Sequence, residues 1–168
     1  MKIAVMGCSG SGKSTLARTL AERHGVEVLH LDSVQFLPGW EIRDEADKER
    51  MVREFLDTHS GWVVDGTYSK LSFARRLEEA DRIILLLFNR FTALWRVTKR
   101  YLAYRGQSRP DMAEGCGEKL DAEFIWWVLF QGRRSGDRAR WRQIAAQYGD
   151  KTVILKNQRQ LDAFLGKR

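Results

Sequence analysis

The sequence predicts an α/β domain: a five-stranded parallel sheet with helices on both faces. Three observations predict it. Short apolar runs alternate along the chain with stretches of helical spacing, the pattern of parallel strands joined by right-handed helical crossovers. One run, residues 83–88, is six apolar residues in succession, as a strand buried on both faces requires. The first run ends in glycine and passes through a glycine-rich segment straight into a helical pattern, and open parallel sheets place their ligand sites at such junctions.

The elements follow in order. Lys2–Gly7 is an apolar run ending in glycine and reads as a buried strand. Lys13–His24 carries Leu16, Ala17, Leu20 and Ala21 at helical spacing, and Gly25 stops it. Residues 26–32 read as a second strand that ends on a carboxylate. A turn at Pro38-Gly39 leads to a charged amphipathic helix over about 44–58, with Met51, Val52, Phe55 and Leu56 inward. Residues 62–66 form a third apolar run ending in Asp-Gly, and a helix over about 70–79 carries Leu71, Phe73, Ala74 and Leu77. After the strand at 83–88, helical patterns fill about 91–104, 118–130 and 137–148. The stretch 105–117 is glycine-rich and charged and reads as a loop. Thr152–Leu155 is the fifth strand, and a short helix from about Gln158 closes the chain. With no repeat and no linker, residues 1–168 are expected to form one domain, carrying a helical insertion over about 105–140.

Composition narrows the function classes. With 43% apolar and 30% charged residues, the chain reads as globular and not as intrinsically disordered. No apolar run approaches the roughly 18 residues of a membrane span, so no membrane partner is expected. The opening MKIAVMG enters a strand pattern without signal-peptide anatomy. Cys8 and Cys116 sit in unrelated contexts; they suggest neither a disulfide framework nor zinc-ligand spacing, and a reducing, cytoplasmic location is expected. The net charge of +7 points to anionic partners, either phosphorylated small molecules or nucleic acid. Ten arginines lie between Arg90 and Arg142, so the excess charge gathers in the C-terminal half.

Residues 7–15 read GCSGSGKST and fit the phosphate-loop pattern G-x-x-x-x-G-K-[ST], with Gly7, Gly12, Lys13 and Ser14 in register. Gly7, Gly10 and Gly12 let successive backbone N–H groups, with those of Ser9 and Ser11, point at one anion. The helix that follows adds its N-terminal partial charge. Lys13 is suited to the β- and γ-phosphates, the Ser14 hydroxyl to Mg²⁺, and Thr15 offers a further hydroxyl or N–H to the outer phosphates of ATP or GTP.

Ligands of open parallel sheets bind at the carboxyl ends of strands, where this sequence places Asp32, Asp65 and Asn89. Phosphoryl transfer needs one group to hold Mg²⁺ and one to orient or deprotonate the acceptor. Asp65, ending an apolar run, suits the metal, and Asp32 suits the acceptor hydroxyl. The alternative is that either aspartate caps a helix or starts a turn.

Several segments together carry a resemblance: GCSGSGKSTLA, LHLD at 29–32, LPGW at 37–40, VVDGTYS at 63–69, FNRF at 88–91, RPDMAEG at 109–115 and LKN at 155–157. In order and spacing the chain resembles the adenylate-kinase-related P-loop proteins labelled DNA topology modulation protein (FlaR-like). The resemblance implies a P-loop NTPase fold of nucleoside-monophosphate-kinase type with a helical, mobile lid, and ATP binding at Gly7–Thr15. The sequence departs from adenylate kinases at Asp65-Gly66-Thr67-Tyr68-Ser69, which lacks the arginine that grips AMP. That departure speaks against AMP as acceptor, and GCSGSGKST looks closer to kinases of nucleosides and other small hydroxyl compounds.

Lids of this superfamily supply arginines that stabilise charge on the transferring phosphoryl group. Arg133, Arg134 and Arg138, in the glycine-punctuated GRRSGDRAR, are expected to include at least one such contact. Arg96 and Arg100 share a helix face at i, i+4 spacing, which either turns into the cleft or is a solvated basic face. For the acceptor, Phe36, Trp40 and Arg43 offer two flat surfaces and a cation, and Tyr68, Arg75 and Arg76 are candidates for the opposite wall. The alternative for the two rings is plain core packing, favoured for Phe36, while Trp40 beside the Pro-Gly turn is assigned to the pocket. FIWWVLF at 124–130 is apolar on every face and is expected to be a buried helix, with a dimer contact or base-stacking surface as the alternative. His24, His30 and His59 form no catalytic or metal spacing.

Two classes of function remain. In the first, the protein is a kinase that uses ATP and Mg²⁺, with catalytic Lys13, Asp32 and lid arginines, on a nucleotide or small-molecule phosphate acceptor. In the second it is a nucleotide-binding regulator acting on DNA topology through non-specific nucleic-acid binding. No helix-turn-helix, zinc-finger or RNA-binding signature supports the second.

Overall fold

The structure is a computed structural model that describes residues 1–104, 111–112, 115–117, 120–130 and 135–166. Five strands form one sheet: β1 (Lys2–Gly7), β2 (Glu27–His30), β3 (Trp62–Asp65), β4 (Arg82–Leu86) and β5 (Thr152–Leu155), in the order β2-β3-β1-β4-β5. Every pairing is parallel, with Val5 opposite both Asp65 and Ile84. The helices are α1 (Lys13–His24), α2 (Leu31–Gln35), α3 (Glu45–Thr58), α4 (Phe73–Glu79), α5 (Arg90–Ala103), α6 (Ala122–Leu129), α7 (Ser135–Gln147) and α8 (Gln158–Leu165).

The alternation of side chains along the strands divides the core into two layers. On one face Ala4, Met6, Val64 and Leu85 meet Leu56 of α3, Leu77 of α4 and Ile144 of α7. On the other Ile3, Val5, Ile84 and Leu86 meet Leu16 and Leu20 of α1 and Leu161 of α8. A satellite cluster joins α5 to α6 through Ala93, Val97 and Val128. Because β1 lies between β3 and β4 while the chain leaves it towards β2, strand order reverses at the carboxyl end of β1, where such sheets bind ligands.

Two expectations are corrected. Residues 31–35 leave the strand and form α2, so Asp32 sits in the first turn of a helix instead of closing β2. Leu31 and Val34, three residues apart, are both buried there, and helical spacing satisfies them where alternation would expose one. The segment 124–130 is not a buried helix: within α6 only Val128 is buried, while Trp126 and Phe130 are 54% and 44% exposed. An all-round apolar helix is buried only where it has neighbours on every side, and α6 packs one side against α5. Most of the expected loop at 105–117, and with it much of the 105–140 insertion, lies outside the described residues.

Gly7 ends β1 at φ 143°, and a Cβ there would stand 2.2 Å from the Leu86 carbonyl oxygen. Gly7→Ala is therefore expected to cost about 3 kcal/mol or more of stability, since the contact is with backbone of the adjacent strand. A urea titration followed by circular dichroism reads the lowered midpoint.

Candidate active site

Three cavities of about 390, 400 and 370 Å³ meet around the loop between β1 and α1. Ser9 and Asp32 line all three, and Lys13 lines the first and third. The first cavity runs along α1 and is walled by Arg96, Arg100 and Tyr104 of the α5 side and by Gln158 and Leu161 of α8. The other two lie on the opposite side of the loop, towards α2, α6 and α7.

The loop is built close to neighbouring backbone. Gly10, at φ 72°, would place a Cβ 2.5 Å from the Ala93 carbonyl oxygen. α1 starts on Gly12 in the left-handed region with no side-chain cap, which leaves first-turn N–H groups for a ligand. The Lys13 ammonium donates to the Cys8 carbonyl at 3.0 Å. Arg96 donates to the Ser11 carbonyl at 2.6 Å and to Gln158, and its guanidinium lies over the Phe88 ring at 4.3 Å. Burial holds the Arg96 pKa below its ordinary value.

Asp65 is 5% exposed and lines the third cavity. One carboxylate oxygen, Oδ2, pairs with His30 Nδ1 at 3.1 Å, while the buried Oδ1 has no hydrogen-bond partner among the described residues. The Ser11 hydroxyl is likewise buried without a partner. Orphaned buried polar atoms cost free energy unless a ligand, ion or water satisfies them. Thr67 bridges back to Gly7 through its hydroxyl, which donates to the Gly7 carbonyl at 3.3 Å.

At Asp32 the Tyr68 hydroxyl donates to Oδ1 at 2.7 Å. Burial first, and the Asp32 charge second, push the phenol pKa up, so Tyr68 keeps its proton throughout the neutral range. That commits Oδ1 as an acceptor and directs the remaining capacity of Asp32 at the cavity.

The expected acceptor residues separate. Phe36, Trp40 and Tyr68 all line the second cavity, and Trp40 holds an unusual φ of 70° with its indole N–H donating to the Gly117 carbonyl at 3.2 Å. A bulky side chain in the left-handed region is a strained placement, of a kind that gathers at functional sites. The three arginines lie elsewhere. Arg43 donates through Nε to the Val34 carbonyl at 3.0 Å. Arg75 pairs with Asp57 and Glu79. Arg76 is fully buried and donates to the carbonyls of Leu71, Gly66 and Tyr68. Arg133 and Arg134 lie outside the described residues, and Arg138 is exposed on α7. Arg140, two positions further along α7, lines the third cavity with Trp141. Sequence reasoning missed Arg140 and His30, and held the α6 residues Phe124 and Trp127, which line the second cavity, only within the alternative of a stacking surface. Spacing alone does not say which arginine of a basic helix turns inward.

A glycine-rich loop at the switch point of a five-stranded parallel sheet, with Asp65 closing the neighbouring strand β3 and Asp32 in the helix after β2, defines a P-loop protein of kinase-type α/β fold. The chain belongs to the AAA domain family, whose model matches residues 3–124. No curated protein matches it. Among solved structures it is similar to a shikimate kinase from Acinetobacter baumannii in complex with shikimate, at 20% identity and TM-score 0.59, covering 98% of this chain and 93% of that one. A shikimate kinase from Bacteroides thetaiotaomicron is similar at 16% identity and TM-score 0.50, covering 99% and 98%. These likenesses establish the fold. Among the described residues no helix is long and apolar enough to cross a membrane.

Proposed function

We propose that the protein transfers the γ-phosphoryl group of ATP to a small-molecule hydroxyl acceptor. The observation that carries the reading is the position of Asp32, which lines the loop cavity and both cavities beyond it while Tyr68 fixes its orientation. ATP occupies the cavity along α1, its phosphates on the backbone of Gly7–Thr15 and on Lys13. The acceptor enters from the side of α2 and α6. Its oxygen forms the new bond to the γ-phosphorus as the bond to the β,γ-bridging oxygen breaks, ADP leaves, and the hydroxyl proton passes to Asp32. The 105–140 insertion acts as a lid, with Arg140 supplying a cation from α7 beside those expected from Arg133 and Arg134.

Ser14 and Asp65 fit a divalent cation, since the orphaned Oδ1 of Asp65 is a buried hard oxygen with no partner among the described residues. Mg²⁺ there would neutralise charge on the β- and γ-phosphates. His30 orients the carboxylate from its other side. Similarity in fold to shikimate kinases, one of them solved with shikimate, agrees with a small hydroxyl compound as acceptor. The DNA-regulator reading rests on net charge and on resemblance, and no feature of the site supports it.

The test is titration of the native and Lys13→Ala proteins with ATP and Mg²⁺ by calorimetry, followed by a phosphorylation assay over small hydroxyl compounds. Binding and transfer that both depend on Lys13 support the reading; ATP binding without transfer to any acceptor sinks it. Tyr68→Phe is expected to lower kcat about three- to tenfold with the Kd for ATP unchanged. It removes one hydrogen bond to a charged group, worth about 1.5 kcal/mol or less at a part-buried site. Steady-state kinetics at saturating ATP and acceptor read kcat, and calorimetric titration with ATP reads the Kd.

A further inference from the structure

The second cavity has a chemistry that the phosphotransfer reading does not require. Its flat surfaces come from two separate parts of the chain. Phe36 and Trp40 meet edge to face with ring centroids 5.2 Å apart, and Phe124 and Trp127 stack with centroids 6.2 Å apart and planes 9° from parallel. Its ionisable lining is mostly acidic: Asp32, Asp121 and Glu123 stand against Arg100 among the described residues. Asp121 already accepts from the Phe124 N–H at 2.8 Å through one oxygen as the cap of α6. The cations that sequence reasoning assigned to this wall are engaged away from it, as the bonds of Arg43, Arg75 and Arg76 show.

Among the described residues, a phosphate or carboxylate brought into this chamber meets more like charge than opposite charge, which disfavours it in a partly desolvated space. Aromatic faces take a flat ring, and carboxylates only accept hydrogen bonds, so they select a ring that presents N–H donors. We propose that the acceptor is a nucleoside-like hydroxyl compound: a flat ring bearing N–H donors and carrying no anionic group. The ring sits among the aromatic side chains, its donors reach Glu123 and Asp121, and its hydroxyl meets Asp32. This selectivity rests on the phosphotransfer reading for its purpose, while the pocket chemistry stands on the lining residues. Glu123 and Trp127 are the specificity-determining residues, Glu123 because it is exposed on α6 and lines the chamber, and Trp127 because its ring is one of its walls.

The experiment is calorimetric titration of the full chain, with Mg²⁺ and a non-hydrolysable ATP analogue present, using adenosine, cytidine, their 5′-monophosphates and shikimate as probes. At least one nucleoside is expected to bind about tenfold or more tighter than its monophosphate and than shikimate. Trp127→Ala is expected to weaken that nucleoside about tenfold or more, as loss of a stacking face does. Glu123→Lys, a surface change that leaves the fold alone, is expected to shrink the preference over the monophosphate about five- to tenfold. A native protein that binds the monophosphate or shikimate more tightly, or binds neither nucleoside, overturns the proposal. Phosphoryl transfer from ATP to AMP or shikimate would leave the kinase reading standing and remove this one. Nucleoside binding with the expected variant pattern but no transfer would uphold the pocket and remove the kinase.

Discussion

Asp32→Asn is expected to lower kcat for phosphoryl transfer about 10²- to 10⁴-fold while leaving the affinity for ATP within about twofold. The amide keeps the shape of the carboxylate and still accepts from the Tyr68 hydroxyl through its oxygen. What it loses is the capacity to take the acceptor proton. Because Asp32 touches no residue of the loop among its hydrogen bonds, and shares only cavity wall with it, nucleotide binding has no reason to fall. Single-turnover kinetics with labelled ATP separate the chemical step from binding. A fall in ATP affinity equal to the fall in rate would mean that Asp32 acts in holding the nucleotide or the loop instead of the acceptor.

The second large effect is on stability. Arg76→Leu is expected to cost about 3–5 kcal/mol, read as a lowered midpoint in urea with unchanged slope. Arg76 is fully buried, and its pKa is drawn down to about 10 by burial. Among the described residues no carboxylate pairs with it by contact; its three nitrogens instead tie the carbonyls of Leu71, Gly66 and Tyr68. Leucine fills the space and leaves those carbonyls without their donor, which is the costly half of the asymmetry in hydrogen bonding. The same bonds hold the segment from Gly66 to Tyr68, so the variant is also expected to loosen the Tyr68–Asp32 contact. Arg75→Leu, one residue away, breaks partly exposed pairs with Asp57 and Glu79 and is expected to cost under about 1 kcal/mol.

These residues also show how far the sequence could be read. Gly7–Thr15 was legible because its requirements are local: glycines for backbone approach and a helix start for the anion, all within one segment. The strands and most helices were legible for the same reason, from short-range periodicity. Asp32 reads from the sequence as the end of a strand and lies instead in the helix after it, because four residues, VLHL, fit a strand that continues as well as one that stops. Arg75 and Arg76 are adjacent and alike in sequence, yet one is on the surface and the other inside. What separates them is the carbonyls that the chain 66–71 folds over Arg76, and no spacing records that. The α6 aromatics were expected inside because hydropathy measures the segment and not its neighbours. Their exposure brings Trp127 to the cavity wall, where the account of acceptor choice begins.

The central claim is that the γ-phosphoryl group goes to an acceptor held at Asp32 and not to water or to a switch. It is tested most directly by following the label from γ-³²P ATP in the presence of Mg²⁺ and a panel of small hydroxyl compounds. Label is expected in one organic phosphate ester, at a rate well above release of inorganic phosphate, and Asp32→Asn is expected to abolish the ester. Release of inorganic phosphate alone, unchanged by Asp32→Asn and raised by added DNA, would contradict it and favour a nucleotide-driven regulator.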